Sequence, residues 1–125
     1  MIPAIAERFI KALNRQAWDD LAMCFHKEVR FSALIPGGLR TATERAGATN
    51  YLKLWFGDAD QLLLLSSHVE TLGDGLYLRY RFRAHEDRWY VVEQHAFCTL
   101  RDGHIDRIDL LCSGFRPEIV TENAT

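Results

Sequence analysis

The residues best suited to chemistry are two neighbours in the C-terminal half, Gln94 and His95. A histidine titrates near neutral pH and can move a proton as general acid or base. A glutamine holds a carbonyl or hydroxyl well but is a poor acid or base. Both lie in the long run Trp89 to Arg101, read here as one strand, so their side chains point to opposite faces. One face carries Tyr90, Val92, Gln94, Ala96, Cys98 and Leu100. The other carries Trp89, Val91, Glu93, His95, Phe97 and Thr99. Each set contains apolar groups, and a slip of one residue exchanges them completely. On one register Gln94 anchors a ligand; on the other His95 is the acid or base.

Other candidates are simpler. Cys112 would need a base or a positive neighbour to act as a nucleophile, and Arg116 is close only in sequence, so a small apolar wall is the expected role. His26 falls where a helix gives way to a strand, a position suited to capping. His68 fits a half-exposed strand site or the edge of a pocket. The five histidines contain no HxH, HxxxH or HExxH pair, so no metal site is expected. There is no GxSxG, phosphate-binding loop or GxGxxG, and no cofactor is called for.

The elements that must position these groups come from a chain of 125 residues, long enough for one domain with its own core. With a net charge of -2, the chain gives no electrostatic reason to expect nucleic acid. The longest apolar block, Leu62 to Leu65, is far short of the roughly 20 residues of a membrane helix, and Met1 to Arg8 does not read as a secretion signal. Cys24, Cys98 and Cys112 are odd in number and lack CxxC spacing, which fits reduced thiols in the cytoplasm.

Ile5, Phe9, Ala12 and Leu13 share one face of a first helix, with Pro3 in its first turn. Trp18, Leu21, Ala22 and Phe25 repeat the pattern in a second. Val29, Phe31, Ala33 and Ile35 then alternate as a strand, which Pro36-Gly37-Gly38 ends. Thr41 and Glu44 have the spacing of a capping box, opening a third helix over Ala48, Tyr51, Leu52, Trp55 and Phe56, with Gly57 as its left-handed cap. Four strands follow, with hairpin signals at Gly73-Asp74-Gly75 and Asp102-Gly103. The order α-α-β-α-β-β-β-β describes an α+β domain over residues 1–117, followed by a short polar tail, 118–125. A hollow between helices and curved sheet would suit an apolar ligand.

This order resembles the nuclear transport factor 2-like superfamily, the cone-shaped fold of ketosteroid isomerases, scytalone dehydratases and SnoaL-like polyketide cyclases. The resemblance rests on Phe9-Ile10-Lys11-Ala12-Leu13-Asn14, Trp18-Asp19-Asp20-Leu21, Phe25 to Phe31 and the closing Arg101-Asp102-Gly103-His104-Ile105. It implies three helices packed in a strongly curved antiparallel sheet, with Gln94, Ala96 and Cys98 inward, and Ile108, Leu110 and Cys112 beside them. The isomerase's oxyanion tyrosine falls at Phe9 and its general-base aspartate at Ala33; its second aspartate falls at Ala96 or, with a slip of one, at His95. The resemblance therefore does not extend to that mechanism.

The expected pocket is lined by Phe9, Phe31, Ala33, Tyr51, Trp55, Gln94, Ile108, Leu110 and Cys112. It would take a small apolar molecule, either for cofactor-free isomerisation, cyclisation or dehydration of a ring or polyketide-like compound, with His95 as acid or base, or for binding without turnover. The opposite sheet face carries Tyr77, Arg79, Arg81 and Arg83, with Glu93 and Asp109 available to offset their charge. A homodimer through that face is the expected assembly.

Overall fold

The computed structural model describes residues 2–119. In chain order it contains α1 (Ala4–Asn14), α2 (Trp18–Cys24), β1 (Phe25–Ile35), β2 (Gly38–Ala42), α3 (Arg45–Phe56), β3 (Gln61–Leu72), β4 (Gly75–Glu86), β5 (Arg88–Arg101), β6 (His104–Cys112) and β7 (Arg116–Pro117). The strands form one sheet in the order β2-β1-β6-β5-β4-β3, and β7 pairs with β5. Every ladder is antiparallel except β1–β6, which is parallel, so the sheet is mixed rather than purely antiparallel. Register shifts at Leu64/Ser66 in β3 and at Thr99/Leu100 in β5 mark bulges, which bend strands and increase twist. The result is an open, curved sheet around three helices, the α+β cone anticipated from the sequence.

The apolar stripe of α1 buries Ile5, Phe9, Ala12 and Leu13, as its spacing requires. Phe9 has no exposed surface and packs edge-on against Phe25 and Tyr80, with ring centroids 6.0 Å away in both cases. Removing such a ring leaves a cavity that neighbours fill only in part, at a cost of about 3–5 kcal/mol.

Three local expectations fail, each for a backbone reason. Phe25 does not close α2; it starts β1, where its extended backbone begins the ladder to Ile105. The chain from 38 to 42 is not a helix lead-in, because Gly38, at φ 124°, turns it back along β1 as β2. Thr41 is thereby paired with Ser32, and no side chain caps α3, which starts at Arg45. Arg45 instead reaches across, donating from Nε and Nη2 to the Phe25 carbonyl at 3.0 and 2.8 Å. Gly57 is right-handed at φ -73°, its N–H simply continuing the helical bonding to Lys53.

The start of the expected tail is held down. The Glu118 N–H donates to the Trp89 carbonyl, and its carboxylate accepts two bonds from Arg83 at 2.7 and 2.9 Å. Residues 120–125 of that tail lie outside the described residues.

Candidate functional site

Two tight turns determine which face of β5 looks inward. Asp102 and Gly103 both take positive φ (54° and 79°), the type I′ geometry that their dipeptide signals, and Asp87 (φ 63°) makes the turn from β4. The register then pairs Gln94 with Tyr80 on one side and with Cys112 on the other. Gln94 is fully buried beneath the helices. The Tyr80 hydroxyl donates to Gln94 Oε1 at 2.6 Å, while Gln94 Nε2 has no acceptor among the described residues. Burial, more than the nearby Cys98 and Cys112 thiols, pushes the Tyr80 hydroxyl well above its ordinary range, so it stays a neutral donor. A buried donor left without an acceptor costs about 1–3 kcal/mol, which makes Nε2 a strained feature of the inner face.

A cavity of about 430 Å³ is lined by Ile35, Trp55, Glu86, Asp87, Tyr90, Cys112, Gly114 and Phe115, of which Cys112 is the β6 ladder partner of Gln94. Gly114, at φ 79°, lets the chain leaving β6 pass so close to Pro36 that a Cβ there would meet its ring at 2.7 Å. That turn delivers Phe115 onto Phe56, at 5.3 Å between centroids, and so forms one wall. Trp55 forms another, backed by Tyr51 at 5.6 Å, which in turn stacks on Phe31 at 5.8 Å and 8°.

Of the nine expected pocket residues, Trp55 and Cys112 border the cavity. Phe31 and Tyr51 stand behind Trp55 in the aromatic stack. Phe9, Ala33, Gln94, Ile108 and Leu110 are buried in the core below. Phe9 on α1 and Phe31 on β1 are buried in the core and do not line this cavity. Ile35, Glu86, Asp87, Tyr90, Gly114 and Phe115, which line the cavity, and the buried Tyr80 were not among those nine. Tyr90, Tyr80 and Ile35 carried a signal, since each sits on an alternating strand face; Glu86, Asp87, Gly114 and Phe115 depend on turns that periodicity does not reveal.

The register that would make His95 an acid or base in the pocket is not the one present. His95 stands on the outer face, with Nε2 2.8 Å from Glu93 Oε2 and Nδ1 3.0 Å from the Tyr77 hydroxyl. A carboxylate only accepts, so Nε2 carries a proton, while Nδ1 and the Tyr77 hydroxyl share a hydrogen bond. Glu93 also accepts from Arg81 Nε at 2.8 Å. These bonds, that from His95 foremost, hold its carboxyl below the ordinary range against the upward push of burial. Around this network Leu34, Leu39, Phe97 and Leu111 are each more than half exposed. Leu34 pairs across the ladders with both Leu39 and Leu111. Asp109 pairs with Arg107 at 3.0 Å.

The remaining candidates are structural. His26 lies within β1 and accepts the Glu28 N–H, so it caps no helix. His68 is exposed beside Glu70 at 3.1 Å. The Cys112 thiol accepts the Gly114 N–H at 3.4 Å, and Arg116 donates to the Ser113 carbonyl instead of approaching that sulfur. Burial pushes the Cys98 thiol up to about 12, which removes it as a nucleophile near neutral pH. Among the described residues no three His, Cys, Asp or Glu side chains converge to hold a metal ion, and no helix is long and apolar enough to cross a membrane.

Comparison with known proteins matches residues 6–108 to a family described as the SnoaL-like domain. No curated protein matches the chain. Among solved structures, a protein of ketosteroid isomerase-like fold from Catenulispora acidiphila DSM 44928, in complex with trimethylamine, superposes with a TM-score of 0.72 at 14% identity, over 90% of this chain and 88% of that one. A protein from Xanthomonas campestris pv. campestris named as a candidate polyketide cyclase gives 0.69 at 21%, over 86% and 87%. An LEH-like epoxide hydrolase from M. tuberculosis gives 0.68 at 11%, over 89% and 81%. At these identities the likeness is one of fold.

Proposed function

The chain belongs to the SnoaL-like domain family, and from that premise we propose that it binds a small apolar molecule at the open end of its cone. The observation that carries this reading is the cavity of about 430 Å³ walled by Trp55, Tyr90 and Phe115. Its volume and lining suit a ring-sized ligand. Binding without turnover is the primary reading, because His95 lies on the opposite face and Gln94 supplies no proton-transfer group. Cofactor-free isomerisation, cyclisation or dehydration is the second reading. It is favoured by Glu86 and Asp87, the two carboxylates bordering the cavity, which would then take the acid–base work expected of His95.

The test is to extract the purified protein, identify by mass spectrometry any small molecule it carries, and return that molecule to protein and to a Trp55→Ala variant. The expected result is recovery of an unchanged ligand and loss of retention in the variant. Conversion of the ligand, abolished by Glu86→Gln or Asp87→Asn, would replace binding with catalysis. The exposed Leu34, Leu39, Phe97 and Leu111 support a homodimer through the outer sheet face. Three free thiols fit a reducing, cytoplasmic setting.

A further inference from the structure

The charges and rings at the cavity carry the reading one step further, to the kind of molecule it selects. Glu86 and Asp87 border the cavity, and neither has a hydrogen-bond or ion-pair partner among the described residues. Trp55, Tyr90 and Phe115 supply three aromatic walls, and the remaining lining is uncharged: Ile35, Cys112 and Gly114. Aromatic faces are electrostatically negative and attract a cation within about 6 Å of the ring. Carboxylates and rings therefore favour the same sign of ligand.

The same turn already shows the preference. Arg88, one residue beyond Asp87, places its guanidinium 6.0 Å from the Tyr90 ring. The other nearby cations are occupied elsewhere, Arg116 with the Ser113 carbonyl and Arg83 with Glu118. The residues that line the cavity include no cationic side chain. An anionic ligand would meet two unpaired, exposed carboxylates at the cavity's edge, and a neutral one would leave the bias unused.

We propose that the cavity selects an organic cation, an ammonium group attached to an apolar body, with the charge held between Glu86, Asp87 and the rings of Trp55 and Tyr90. This inference rests on the binding reading above and specifies its ligand class. The orphan Gln94 Nε2 is not part of the recognition, since it lies buried below the cavity lining.

The experiment uses the whole chain and three probes of similar body: benzyltrimethylammonium, its uncharged carbon isostere neopentylbenzene, and the anion phenylacetate. Binding is followed by ligand-observed NMR at low salt, with Trp55→Leu as the control for location. The expected result is roughly tenfold tighter binding of the cation than of the neutral isostere, the anion binding weakest. The double variant Glu86→Gln/Asp87→Asn should remove that preference and leave neutral binding intact. Asparagine tolerates the left-handed backbone at position 87, so the turn survives the change. Equal binding of cation and isostere, or a preference that survives the double variant, overturns the charge inference and leaves the cavity reading standing. If none of the probes binds in a Trp55-dependent way, the cavity reading falls and this inference falls with it.

Discussion

Gln94 and His95 share a peptide bond, yet each sits in a hydrogen-bonded network of a different kind. On the inner face, Tyr80 and Gln94 form one short bond inside the core, sealed by Phe9, Phe82 and the helices. On the outer face, Tyr77, His95, Glu93 and Arg81 form a chain of bonds that water can reach. Both networks pair a tyrosine on β4 with a residue on β5. What separates them is solvent: a polar group in the core has nothing to replace a lost partner, whereas a surface group exchanges its partner for water. The inner pair is thus a fixed part of the core, and the outer chain is a replaceable feature of an exposed face.

The largest test of this contrast uses the apolar members of each face. Phe9→Ala should lower stability by about 3–5 kcal/mol in denaturant titrations, the cost of a cavity in a sealed core. Phe97→Ala, on a side chain 52% exposed, should change the monomer by no more than about 0.5 kcal/mol. Its effect should appear in light scattering instead, as a dimer shifted toward monomer. A Phe97 effect as large as that of Phe9 would make the outer face part of the core. A single species of monomer mass at every concentration, in wild type and variant alike, would remove the partner copy.

A smaller effect separates the polar groups. Tyr80→Phe leaves Gln94 Oε1 buried without a donor and should cost about 1–3 kcal/mol. Tyr77→Phe removes the matching outer bond and should cost less than about 1 kcal/mol. Because the inner penalty comes from desolvation, Tyr80→Phe combined with Gln94→Leu should recover much of the loss, through removal of both polar groups together. Failure of that rescue would mean that the pair holds the inner face by shape rather than by hydrogen bonding.

The same contrast explains what could be read from the sequence. The helical stripes of α1 and α3 and the alternation of β1 and β4 were legible, because burial on one side of a periodic element leaves a repeating pattern. The inward placement of Gln94 was not settled by periodicity, since Phe97 and Val91 make the opposite face of β5 as apolar as the inner one. Only the resemblance to a known fold pointed the right way. β2 was hidden because one glycine conformation, at Gly38, decides whether the chain turns back or runs on into a helix. The cavity was displaced because its lining depends on where Phe115 lands after Gly114, and a non-repeating turn leaves no periodic trace.

The smallest effect expected, and the finest probe of the outer network, is its response to acid. The hydrogen bond from His95 and then that from Arg81 lower the folded-state pKa of Glu93. A carboxyl whose folded pKa is depressed contributes stability that is fully present above its unfolded value and lost as pH falls through the folded one. The stability difference between wild type and Glu93→Gln should therefore have its plateau at neutral pH and shrink as pH falls below about 4.5, the ordinary value of that carboxyl. Its plateau should be at most about 1 kcal/mol, because the Glu93 and His95 side chains remain 26% and 34% exposed. In a His95→Ala background the plateau should fall further, leaving the share that Arg81 supplies. An unchanged plateau would show that Arg81 alone holds the carboxylate. A plateau of several kcal/mol would show that the outer network is shielded from water like the inner pair, and the contrast between the two faces of β5 would then fail.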